Sequence, residues 1–182
     1  MAEDGNASIE KLKGMLEDID FCMLTTMDGG KLRSRPMSTQ ELGADGELWF
    51  FTRDDFRPWP SFRFRRHLRQ FPAPSHKMDE IAADSRVNVA YSKPDDNTYV
   101  SVSGTGSISK DRAKIEELWS PILKAWFPDG LEDPKICLLK VQVEEAEYWD
   151  APSSKIVQIA GFIKALATGQ EADYGDHGTV KI

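Results

Sequence analysis

The sequence predicts a mainly β fold with added helices, an antiparallel barrel either closed or split. Three observations predict it. Short apolar runs alternate with Gly/Asp/Asn turn signals along residues 21–109. Consecutive runs are joined tightly enough to be hairpins, without the strand–helix–strand alternation of a parallel sheet. Helical patterns are confined to the start of the chain and to three later segments, "SHKMDEI" (75–81) among them.

Each element can be justified in order. Ile9, Leu12, Leu16 and Ile19 recur at helical spacing, with Ser8 as the expected N-cap. "FCMLTT" (21–26) and "KLRSRPMS" (31–38) flank Asp28-Gly29-Gly30, a hairpin signal. "ELWFFT" (47–52) follows a second turn, "GADGE". "RVNVAY" (86–91) and "TYVSVSGTGSIS" (98–109) are joined by the turn-rich "SKPDDN". In "KDRAKIEELWSPILKAWF", one apolar stripe is formed by Ile115, Leu118, Trp119, Ile122, Leu123 and Trp126. Pro121 predicts a kink there or a break into two helices. "KICLLKVQV" (135–143) and "AEYWD" (146–150) give a strand that continues past Glu144-Glu145. A last helix is expected over about 153–168, ended by Gly169, and residues 170–182 read as a polar tail. The expectation is one domain over 8–168.

The 182 residues carry a net charge of −7, yet residues 55–74 hold five Arg and one Asp. An acidic chain argues against nucleic-acid binding, which needs basic surface, and leaves room for one local anion site. Cys22 and Cys137 lie in apolar runs and are expected to be buried free thiols. No apolar run is long enough for a membrane span, and the first residues are acidic, so a soluble, cytoplasmic protein is expected. His67, His76 and His177 are far apart, and no metal site is expected. Ser103-Gly104-Thr105-Gly106 lies within a strand, where it predicts a bulge or a close backbone approach.

Two places suit an anion. Arg33, Arg35 and Met37 share one strand face, and two guanidinium groups there suit a phosphate; a solvated Arg pair is the alternative. Pro36 implies an edge, or a place where something other than a strand approaches. In "SHKMDEI", Ser75, His76 and Lys77 stand at a helix start, either as phosphate ligands or as an ordinary cap with a solvated Lys.

The ordered segments "FCMLTTMDGGKLRSRPM", "ELWFFT", "SHKMDEIAADSRVNVAY", "YVSVSGTG", "DRAKIEELWSPILKAWFPDG" and "AEYWD" resemble the flavin-binding split-barrel family related to pyridoxamine 5′-phosphate oxidase, bacterial general stress protein branch. The resemblance implies a homodimer of split barrels with flavin mononucleotide (FMN) at the subunit interface. It implies flavin contacts from Arg35, Pro36 and Met37, with Arg33 beside them, and from Phe51-Thr52. It further implies phosphate contacts from His76 and Lys77 with Ser75 adjacent, and Trp149 near the flavin. The Arg-x-His substrate clamp of the true oxidases is replaced by "SSKIVQ" (153–158), and Tyr99 stands where they place a Gln. A typical pyridoxamine phosphate oxidase is therefore not expected.

Residues 55–74 look like an insertion between the "FFT" strand and the phosphate turn, with three readings open: a lid or partner surface, a disordered loop, or a sequence artefact. The functional expectation is an FMN-dependent oxidoreductase acting on a small substrate. A flavin-binding or flavin-sensing protein without turnover is the alternative, and an interaction module working through 55–74 is the third reading.

Overall fold

The computed structural model describes residues 2–54, 77–150 and 176–181. Seven antiparallel strands run in the order β3-β2-β1-β4-β5-β6-β7, and β3 also pairs with β6, which closes six of them into a barrel. They are β1 (Phe21–Asp28), β2 (Lys31–Leu42), β3 (Glu47–Arg53), β4 (Arg86–Lys93), β5 (Thr98–Ser109), β6 (Ile136–Asp150) and β7 (Asp176–Lys181). Among the described residues three α-helices accompany them: α1 (Ala2–Leu16), α2 (Lys77–Ala83) and α3 (Arg112–Leu118).

Local chemistry sets the connections. Gly29 and Gly30 both have positive φ (55° and 82°), the backbone that a two-residue hairpin needs to match strand twist. Opposite Ser103 and Gly104 the ladder jumps from Glu145 to Val143, leaving Glu144 as the extra residue of a bulge. Because of that extra residue, Val143 and Ala146 both face the interior although three positions separate them.

The core has two parts. Leu24, Phe50, Val89, Val102 and Leu139 fill the barrel, and Ile9, Leu12 and Leu16 of α1 pack into the same cluster. On the other face of β3 and β6, Trp49, Phe51 and Leu138 are covered by Ile115, Leu123 and Phe127. Both faces of β3 are thus buried, which is why "ELWFFT" is continuously apolar rather than alternating.

Several expectations are corrected. The first helix begins at Ala2, so Ser8 lies within it and is not its cap. Ile19 lies beyond the helix end, yet is buried in the same core. Pro121 does break the helical segment: α3 ends at Leu118 and a 3-10 turn runs over Pro121–Ala125. Of the expected stripe, Ile122 is 70% exposed and Trp126 39%, while Leu123 stays buried with Ile115 and is joined by Phe127. The polar tail contains β7, which pairs with β6 from Asp176↔Asp150 to Lys181↔Glu145. The expected helix at 153–168 and the 55–74 stretch lie outside the described residues.

Gly14 of α1 is exposed and has no neighbouring atom within 4 Å of where a Cβ would stand. Gly14→Ala is therefore expected to raise stability by about 0.5–1 kcal/mol, seen as a higher midpoint in denaturant unfolding.

Candidate functional site

The barrel is split on one side. Among the described residues, 31–38 of β2 pair only with β1, because the β2–β3 ladder begins at Thr39↔Phe50. Pro36 lies in this half-paired stretch, as its missing N–H requires. Helix α2 packs against β1 and β5, with Ile81 in the barrel core beside Val87 and Gly106. Lys77 therefore opens a helix set into the barrel rather than one lying on solvent.

Strand alternation turns Arg35 inward, opposite Leu24, and Met37 inward, opposite Cys22. Arg35 donates from Nη2 to Glu80 Oε2 (2.5 Å) and from Nη1 to Thr26 Oγ1 (2.8 Å). Thr26 Oγ1 donates in turn to Glu80 Oε2 (2.5 Å), closing a ring across β1, β2 and α2. Lys77 Nζ reaches Met37 Sδ at 3.6 Å, so the ammonium stands on the same inward row as Arg35.

Burial pushes the Lys77 ammonium down to about 8; Arg35 adds to the effect, while Cys137 and Glu80 oppose it. Cys137 pairs across the ladder with Thr52 of β3. The Thr52 hydroxyl is buried without a hydrogen-bond partner among the described residues. Two cations side by side, one of them desolvated, and an orphan hydroxyl form a donor set with a surplus of positive charge. Such a set fits a group rich in acceptor oxygens and negative charge, as the phosphate of a flavin nucleotide is.

Not every residue singled out in the sequence joins this cluster. Arg33 shares the strand face with Arg35 but is tied to Asp28 at the hairpin, where both are exposed to solvent. That ion pair holds the guanidinium at the hairpin turn. Phe51 points to the opposite face of β3, against Trp119 (5.8 Å) and Phe127 (5.9 Å). Pro36 is exposed and faces outward, opposite Met23. Trp149 lies on the outer face of β6, 43% exposed, with its ring stacked on His177 of β7 at 5.3 Å. Ser75 and His76 lie outside the described residues.

The sequence reading missed Thr26, Glu80 and the His177–Trp149 stack. The first two had a signal: Thr26 continues the inward phase of Cys22 and Leu24, and Glu80 stands three residues after Lys77 on one helix face. The two cysteines are free and buried, and burial pushes each thiol up to about 11, so neither is a thiolate at neutral pH. Among the described residues no three His, Cys, Asp or Glu side chains gather as a metal site. No described helix is long and apolar enough to cross a membrane.

Known proteins share this architecture. A protein assigned to general stress protein 26, from Jannaschia sp. CCS1, superposes with a TM-score of 0.66 at 25% identity, over 95% of this chain and 97% of that one. The general stress FMN/FAD binding protein of Xanthomonas citri gives a TM-score of 0.60 at 27% identity, over 79% and 89%. Protein bli-3 of Neurospora crassa is 27% identical over 175 residues, 90% of this chain and 75% of that protein. The family described as pyridoxamine 5′-phosphate oxidase like matches residues 7–61 and 72–173, a match broken only within the Arg/Phe/Pro-rich stretch. The barrel, its split and this match over most of the sequence lead to one conclusion: the chain belongs to the pyridoxamine 5′-phosphate oxidase like family.

Proposed function

We propose that this chain binds FMN between two copies of itself and acts as an FMN-dependent oxidoreductase on a small substrate. The observation that carries the reading is a desolvated Lys77 held against Met37 on the inward row of Arg35, with the orphan hydroxyl of Thr52 on β3, opposite Cys137. A terminal phosphate monoester offers three acceptor oxygens and up to two charges to that set. The name of the Xanthomonas citri relative as an FMN/FAD binding protein supports the same ligand class.

The outward face supports the reading of a second copy. Trp149 and Tyr99 are both exposed there, as are Phe21 and Met23, with Pro36 opposite Met23. A face this apolar suits burial against another chain, and a second copy would bring its own Trp149 to the split. When bound, the flavin supplies the electron-transfer chemistry that these side chains lack. The chain's residues do the rest: Arg35 and Lys77 grip the phosphate, Thr52 donates to it, and the Met37 side chain packs beside them.

The test is a titration with FMN and with riboflavin, followed by NAD(P)H oxidation compared with free FMN. Preference for FMN together with accelerated oxidation is the expected result. Tight binding without acceleration would make the protein a flavin holder, and failure to prefer FMN would sink the phosphate reading.

A pH dependence follows from Lys77. An anion favours the charged ammonium, so binding raises the Lys77 pKa above its free value of about 8. FMN affinity is therefore expected to fall as pH rises through about 8, while riboflavin affinity stays flat over the same range. Flavin fluorescence titrations between pH 6 and pH 9.5, roughly the window around that value, check it.

A further inference from the structure

We propose that Glu80 is a positioning residue for the anion site: its buried carboxylate fixes the Arg35 guanidinium and supplies the counter-charge that lets Arg35 and Lys77 share one corner of the barrel. The inference rests on the reading of Arg35 and Lys77 as the phosphate grip.

Three observations carry it. Glu80 is only 5% exposed, and a carboxylate so buried is retained at the expense of desolvation. An apolar residue of similar size would hold α2 in the barrel at least as well, so packing alone does not account for a Glu here. Its Oε2 takes hydrogen bonds from Arg35 Nη2 and Thr26 Oγ1, both at 2.5 Å, and Thr26 also receives Arg35 Nη1. This ring commits two of the five guanidinium N–H donors and orients the remainder for an incoming anion. Glu80 also stands three residues after Lys77, so one helix face presents the counter-charge and the second cation together.

The charged and titratable groups that act on Lys77 are Arg35 on β2, Glu80 on its own helix and Cys137 on β6. Cys137 is a neutral thiol at physiological pH, because burial holds it up to about 11. Glu80 is thus the group that opposes Arg35. Neutralising it leaves Lys77 facing Arg35 alone, and the ammonium then loses its proton more readily. At lower pH, where Lys77 is charged in either case, an arriving phosphate no longer meets the repulsion of Glu80.

The experiment is the FMN and riboflavin titration repeated across pH on the full chain, Glu80→Gln, Glu80→Asp, and Glu80→Gln combined with Lys77→Met. Thermal unfolding of each variant confirms that it is folded. In Glu80→Gln the alkaline fall of FMN affinity is expected to move down by about one pH unit. Glu80→Asp, which keeps the charge, is expected to hold the fall near its original position. The double variant is expected to lose the fall altogether. Superimposable curves, or a loss by the same factor at every pH, overturn the inference while leaving a phosphate-selective protein intact. An unaltered protein that holds FMN no better than riboflavin overturns the phosphate grip and this inference with it.

Discussion

Arg35→Ala is expected to destabilise the fold by about 3–5 kcal/mol, because it strands the Glu80 carboxylate inside the barrel without its cation. The side chains of the pair are 13% and 4% exposed, so water does little to replace the lost partner. For a chain of this size the loss corresponds to a drop of roughly 6–20 °C in Tm. FMN binding is expected to disappear in the same variant. Removing both charges separates the two effects: in Arg35→Met combined with Glu80→Leu, part of the stability should return, since well-packed apolar residues often replace a buried ion pair at little cost, while the buried Thr26 hydroxyl is left without those two partners. FMN binding should not return with it. A double variant that is stable and still prefers FMN to riboflavin would show that the phosphate is held elsewhere.

Gly104→Ala is the second large effect. A Cβ at this position would stand 2.1 Å from the Gln142 carbonyl oxygen, 3.0 Å from its carbon and 3.2 Å from the Val143 Cα. All three are backbone atoms, so no side-chain rotation relieves the clash; the strands must separate at the bulge. The expected cost is about 3 kcal/mol, the upper part of the range for forced overpacking. The contrast with Gly14→Ala is the check, because Gly14 sits in a helix with open space around it and should respond with the opposite sign. Equal and small effects at both glycines would contradict the close approach of β5 and β6.

Much of the fold is legible in the sequence because it depends on local signals. The strand pattern, the glycine hairpin, the bulge at Ser103-Gly104 and the break at Pro121 each follow from backbone chemistry within a few residues. What could not be read depends on distant partners. Residues 176–181 are polar and lack a strand's apolar alternation, and β6 is what makes them a strand. Ile122 fits the helical stripe by spacing, but Pro121 changes the rise per residue and turns it to solvent. At the site, Arg35 and Lys77 could be singled out by charge and position. Their separation from Arg33 could not, because a neighbouring Asp28 decides it. Glu80 looks like an ordinary acidic residue of a helix's first turn until α2 is seen set into the barrel.

The half-paired stretch of β2 has a consequence for assembly. An unpaired strand edge is normally a template on which another chain can add itself, the first step towards aggregation. Here residues 31–38 hold Pro36, which has no N–H to offer, and Arg33 and Lys31, whose charges would meet any added strand. The barrel can therefore stay open along this seam without recruiting stray polypeptide. A strand edge guarded in this way turns away an extended peptide.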